Sequence, residues 1–85
     1  MVYVLRSKAS GRRYVGITND LGRRLREHLS GRTKASQLLG AFDVVHTEEC
    51  VDHITARARE KLLKSGQGRK WLDKLEARAW LARGE

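Results

Sequence analysis

The strongest constraint on the fold lies at the start of the chain. Two runs rich in β-branched and aromatic residues, Val2–Arg6 (VYVLR) and Arg12–Ile17 (RRYVGI), are separated by a short turn at Lys8-Ala9-Ser10-Gly11. Such runs, joined by so short a connection, form an antiparallel hairpin. If Ser7 faces Arg12, then Leu5 faces Tyr14 and Tyr3 faces Gly16. Side chains alternate between the two faces of a strand, so Tyr3, Leu5, Tyr14 and Gly16 then share one face. Two tyrosines stand diagonally on that face, beside a glycine that leaves room for them.

The remaining pattern is mostly helical. Thr18-Asn19-Asp20 offers N-caps for a helix over Leu21–Ser30, and Gly31 ends it. Leu21, Leu25 and Leu29 form its expected buried stripe, with Arg24 and His28 about 60° to one side, bordering the core. Arg32–Gly40 is a polar, then apolar connection with room for one helical turn, and Phe42–Thr47 is a third strand. Val51–Lys64 is helical with two apolar sides, one of Ile54, Ala58 and Leu62 and one of Ala56 and Leu63. Packing is expected on both, with Glu60 partly buried beside the second. Ser65–Gly68 (SGQG) is expected to break the chain. A last helix runs from Arg69 to about Arg83, with Trp71, Leu72, Leu75, Ala79 and Ala82 on one side and Trp80 off that stripe. Trp71 is expected in the core. The order is ββαβαα, in one domain spanning 1–85.

Composition removes several classes of protein. A chain of 85 residues buries only about 60% of its unfolded surface. It is 40% apolar and 33% charged, without proline, which is the make-up of an ordered soluble domain. One cysteine excludes an internal disulfide framework, and that cysteine with three scattered histidines does not make a zinc site. No apolar run approaches a membrane span and no signal-peptide segment is evident, so the expected compartment is the cytoplasm, in contact with the nucleoid. The net charge is +8, and twelve of the eighteen basic residues are arginine. Arg6–Lys34 carries +7, Ala41–Asp52 carries −4 and His53–Glu85 carries +5. Two basic segments rich in arginine suit a polyanion, and nucleic acid above all. The alternative is a basic protein whose charge serves only solubility.

Val2-Tyr3 followed by Tyr14-Val15-Gly16 resembles the paired signature of the GIY-YIG nuclease family. YVGITNDLGRRLREHLSG resembles its second motif, with Arg24 and His28 at matching positions, and ARAREKLLKSGQGRKWL resembles the region carrying its metal-binding Glu, at Glu60. The resemblance covers essentially the whole chain and is closest to small stand-alone bacterial members. It implies an α+β fold with a small three-stranded antiparallel sheet flanked by helices. It also implies an endonuclease that hydrolyses DNA phosphodiesters with one Mg²⁺, for which Mn²⁺ can substitute, in repair or recombination and with selectivity for DNA structure. Two other readings stand beside it: a catalytically weak nucleic-acid-binding module, and a basic interaction subunit of a repair complex.

The residue types suit that chemistry. Phosphodiester hydrolysis needs an activated water, charge stabilisation on the phosphoryl oxygens and help for the leaving oxygen. One carboxylate with substrate oxygens and waters is a normal Mg²⁺ shell, and Glu60 is the candidate. Arg24 can clamp the phosphate. By the resemblance, either Tyr3 or Tyr14 is the base, and a tyrosine needs nearby positive charge to act at neutral pH. His28 is the remaining catalytic candidate. Arg12, Arg23, Arg32, Lys34, Lys64, Arg69 and Lys70 are candidates for holding the nucleic-acid backbone. Simpler roles compete: Arg24 as a solvated helix residue, His28 as a charge at a helix end, Glu60 as the ion-pair partner of Lys64. The chain departs from the family at Met1, which stands where the family has its first Gly. It lacks the family's late Asn, for which Gln67 can stand in. Gln37–Phe42 (QLLGAF) is apolar where small relatives are rich in Arg and Pro. That change removes one expected phosphate contact and points to an exposed apolar patch.

Overall fold

In the computed structural model, the described residues are 1–82, with side chains described to residue 79. Val2–Ser7 (β1) and Arg13–Ile17 (β2) pair antiparallel, with Tyr3 opposite Gly16 and Leu5 opposite Tyr14, the register expected from the turn. Phe42–Glu48 (β3) pairs antiparallel with the other edge of β1, giving the order β2-β1-β3. β1 is therefore central, and Val2, Tyr3, Val4 and Leu5 are all fully buried. That explains why VYVL is apolar at successive positions: both faces are covered.

Helices divide between the two faces. Leu21–Leu29 (α1) is capped by Asp20, whose side chain accepts from Arg23 N at 3.1 Å. Lys34–Leu39 (α2) is the short helical turn of the connection, capped by Thr33. Both cover the face of Tyr3 and Leu5, where Leu39, Leu21, Leu25, Tyr14 and Phe42 complete one apolar cluster. His53–Lys64 (α3) and Gly66–Ala82 (α4) cover the opposite face. There Ala56, Leu63 and Leu72 pack on Val2, Val4 and Val15. The result is the expected α+β order ββαβαα, with α2 inserted before β3.

Four expectations need correction. Leu29 is 73% exposed, and His28 takes the buried position at that end of α1. α3 packs on one side only: Ala56 and Leu63 are buried, while Ile54 is 81% exposed and Leu62 is also at the surface. Residues at i, i+4 and i+8 make an apolar stripe, but the sheet lies under the other side. SGQG does not break the chain; only Ser65 interrupts it. Ser65 Oγ donates to Leu62 O and accepts from Gly68 N, ending α3 and capping α4 in one residue. A Cβ at Gly68 would overlap the backbone of Leu62 and Leu63, so the close crossing of α4 over α3 requires glycine. Trp71 is 43% exposed and meets His46 edge-on at 4.9 Å instead of entering the core. Of the QLLGAF segment, Leu39 is buried and Leu38 is the one large apolar residue that is exposed. The side chains of Trp80 and Ala82, and the end of the helix near Arg83, lie outside the described residues.

Candidate active site

Strand alternation sends Tyr3 and Tyr14 to the α1 side of the sheet, with ring centres 6.1 Å apart. Gly16 sits beneath them. A Cβ there would stand 2.5 Å from Tyr3 Oη and 2.9 Å from Tyr14 Cε2, so the phenol of Tyr3 occupies the space glycine leaves. α1 brings Arg24 and His28 over the same spot, since residues four apart share a helix side. Tyr3 Oη lies 2.8 Å from His28 Nε2, and Arg24 Nε donates to Tyr3 Oη at 3.4 Å. The ring of Tyr14 meets that of His28 edge-on at 5.7 Å. Glu27 Oε2 accepts from Arg24 Nη1 at 3.1 Å and holds the guanidinium from the solvent side.

The electrostatics follow from burial. Tyr3 is inaccessible, and burial holds its pKa above the ordinary tyrosine value; Arg24 opposes this in part. Tyr3 is therefore a phenol at neutral pH. Burial, and then the Arg24 charge, push His28 below its ordinary value, so it is a neutral imidazole there. His28 is buried and does not face solvent at the helix end. Arg24 is held further up, first by its bond to Tyr3.

Glu60 stands on the other side of the sheet from the tyrosine pair. It lies on α3, which packs on β2, and its side chain is 21% exposed, the partial burial expected. Its carboxylate accepts from Lys64 Nζ at 3.1 Å, the i, i+4 pair its spacing allows. Lys64 in turn lines a groove of about 460 Å³ with Arg12, Tyr14 and Arg69, drawn from β2, α3, α4 and the turn before β2. Among the described residues no three His, Cys, Asp or Glu side chains converge as a metal cluster. A one-carboxylate site is still compatible with Mg²⁺, because substrate oxygens and waters supply most of its ligands. The only described partner of Glu60 is an exposed lysine that can move aside.

The other basic candidates separate. Arg23 and Arg32 line a second depression with Arg26 and Thr33 on the α1 side. Lys34 and Lys70 are exposed and line neither surface. Arg13, next to Arg12, also lines the first groove, but its guanidinium is taken up by Asp73 and Glu76 of α4. Sequence reading missed Thr33, whose hydroxyl lies 2.7 Å from His28 Nδ1. The Thr-x-x-Ser spacing at Thr33–Ser36, just after a glycine-ended helix, was the available signal for a cap there.

A three-stranded sheet carrying a tyrosine pair over a glycine, met by an Arg–His helix, defines a nuclease domain of one type. The GIY-YIG catalytic domain model matches residues 1–73, and the chain belongs to the GIY-YIG family of nucleases. The match runs from β1 into α4 and takes in every residue discussed for the site. No curated protein and no solved structure matches the chain. No described helix is long and apolar enough to cross a membrane. Family membership makes nucleic acid the substrate class.

Proposed function

We propose that the protein is a single-domain, Mg²⁺-dependent DNA endonuclease in which Tyr14 is the general base and Arg24 the phosphate clamp. The observation that carries this reading is the unequal exposure of the two tyrosines. Tyr3 is wholly buried, whereas Tyr14 is part-exposed in a groove lined by Arg12, Lys64 and Arg69. A base must touch the water it deprotonates, and of the two tyrosines Tyr14 can. Tyr3 instead receives Arg24 Nε and orients the guanidinium.

In the proposed reaction, Tyr14 reacts as its phenolate: a water oxygen attacks phosphorus while its proton passes to the Tyr14 oxygen, which becomes a phenol. The bond from phosphorus to the leaving sugar oxygen breaks, and that oxygen takes a proton from solvent. Arg24 donates to the phosphoryl oxygens as their charge grows, an interaction it makes most strongly in the transition state. For this Glu27 must yield its bond to the guanidinium. Glu60 would hold Mg²⁺, which when bound supplies Lewis-acid stabilisation of the phosphoryl and leaving oxygens. Arg12, Lys64 and Arg69 on one side, and Arg23 and Arg32 on the other, neutralise backbone phosphates. Lys34 and Lys70 add to the long-range field. A surface whose cations suit phosphate favours recognition of the DNA backbone over its sequence.

Glu60→Gln keeps the volume and removes the charge. It is expected to abolish cleavage of linear and branched DNA in Mg²⁺ while leaving affinity and melting temperature near the parent's. Full cleavage by this variant, or by the parent in EDTA, overturns the metal assignment.

A further inference from the structure

We propose that Thr33 is a positioning residue: its hydroxyl fixes the Nδ1–H tautomer of His28, which makes Tyr3 a donor to His28 and leaves its oxygen to receive Arg24. The inference rests on the reading of Arg24 as phosphate clamp, and extends the site to α2.

One direction of the hydrogen bonds satisfies every donor and acceptor of this chain. Ser36 Oγ donates its single proton to Thr33 O at 2.7 Å. Ser36 Oγ also accepts from Thr33 N at 3.1 Å and from the Thr33 hydroxyl at 3.0 Å. With the Thr33 proton directed to Ser36 Oγ, Thr33 Oγ1 also accepts from Ser36 N at 3.1 Å. Toward His28 it then presents a lone pair, at 2.7 Å from Nδ1. In this arrangement Nδ1 carries the hydrogen. His28 is neutral, so Nε2 is bare and accepts the Tyr3 hydroxyl at 2.8 Å. With its proton pointed at His28, Tyr3 Oη has lone pairs for Arg24 Nε at 3.4 Å.

The opposite tautomer would reverse the chain. An Nε2–H would donate to Tyr3 Oη and compete with Arg24 Nε for its lone pairs. Arg24 would share its anchor with the imidazole and rest more on Glu27. A reciprocal cap at the start of α2 is therefore more than a helix-end device: it sets the direction of a four-residue chain that ends on the clamp.

The test reads the ring directly. Proton–nitrogen correlation spectra of ¹⁵N-histidine protein, above the His28 titration, should show Nδ1–H in the parent. An Nε2–H tautomer in the parent overturns the proposal without any variant. Thr33→Val, close in shape, should move His28 toward Nε2–H and slow single-turnover cleavage by about ten- to a hundredfold, with DNA affinity unchanged. Thr33→Ser keeps hydroxyl and cap and should restore both. A Val variant that holds the tautomer and the rate, or a Ser variant that fails to restore them, also overturns it. If the parent does not cut DNA but the tautomer behaves as stated, the positioning holds and the nuclease reading falls.

Discussion

Tyr3 Oη and His28 Nε2 meet 2.8 Å apart in the interior, tying the first strand to the end of α1 across 25 residues. Both are shut off from solvent. What reaches the surface from this pair is Arg24, carried on Tyr3.

Arg24 should therefore matter to the chemical step more than to affinity. Many other cations hold the backbone, and removing one of them weakens binding only by about 1 kcal/mol. Removing a donor aimed at transition-state charge costs roughly 10²–10³ in rate. Arg24→Ala should bind DNA nearly as the parent does and cut at least about a hundredfold more slowly. Arg24→Lys should not rescue it, because an ammonium cannot bond Tyr3 and phosphate at once with a planar fork. Single-turnover rates beside binding titrations decide this: equal losses in both would make Arg24 an ordinary surface cation.

Binding should depend steeply on salt. Arg12, Lys64 and Arg69 converge on one groove beside Tyr14. Taking away one cation that neutralises a phosphate should lower the slope of log affinity against log salt by about 1. Alanine at each of the three is the test, across sequences of different composition. A flat salt response in the parent would contradict backbone binding and favour a protein partner.

Gly16→Ala should damage the site from beneath. The added Cβ would lie 2.5 Å from Tyr3 Oη and 2.6 Å from its Cζ, inside van der Waals distance. Tyr3 is packed on every side, so relief requires a shift of strand or ring. Overpacking of this kind costs about 1–3 kcal/mol, readable by denaturant unfolding, and displaces the bond to His28. A variant as stable and as active as the parent would show that the ring has slack.

Acid should weaken the join between β3 and α3. Glu48 accepts two bonds from Arg59 at 2.7 Å and one from His46 at 2.8 Å. Arg59, the larger cause, holds its carboxyl down from 4.5 to about 2. The folded protein keeps this group ionised where the unfolded chain binds a proton. The resulting stability is complete above the unfolded value and is lost as pH falls from about 4.5 toward 2. The shift is worth at most about 3 kcal/mol, the side chain being largely buried. Arg59→Met should lower stability at pH 7 and flatten the acid limb of a melting-temperature profile. An unchanged acid limb would assign that loss to other carboxylates.

What could be read from the chain alone was whatever local geometry dictates. The register of Leu5 on Tyr14 and Tyr3 on Gly16 follows from a short turn and period-two alternation. Asp20, one of the caps offered by Thr18-Asn19-Asp20, marks the start of α1, because an N-cap bond spans only three residues. Glu60 beside Lys64 is a property of helical spacing. Tertiary structure decided which side of each helix meets the sheet. Ile54, Ala58 and Leu62 make a better stripe than Ala56 and Leu63, yet the latter face Val2, Val4 and Val15. His28 is buried and Leu29 exposed because the tyrosine pair and Thr33, from β1, β2 and the start of α2, offer His28 partners at both ring nitrogens. Periodicity shows that a helix has sides; only the elements that pack on it, distant in sequence, select the one that is buried and set the tautomer of the histidine it carries.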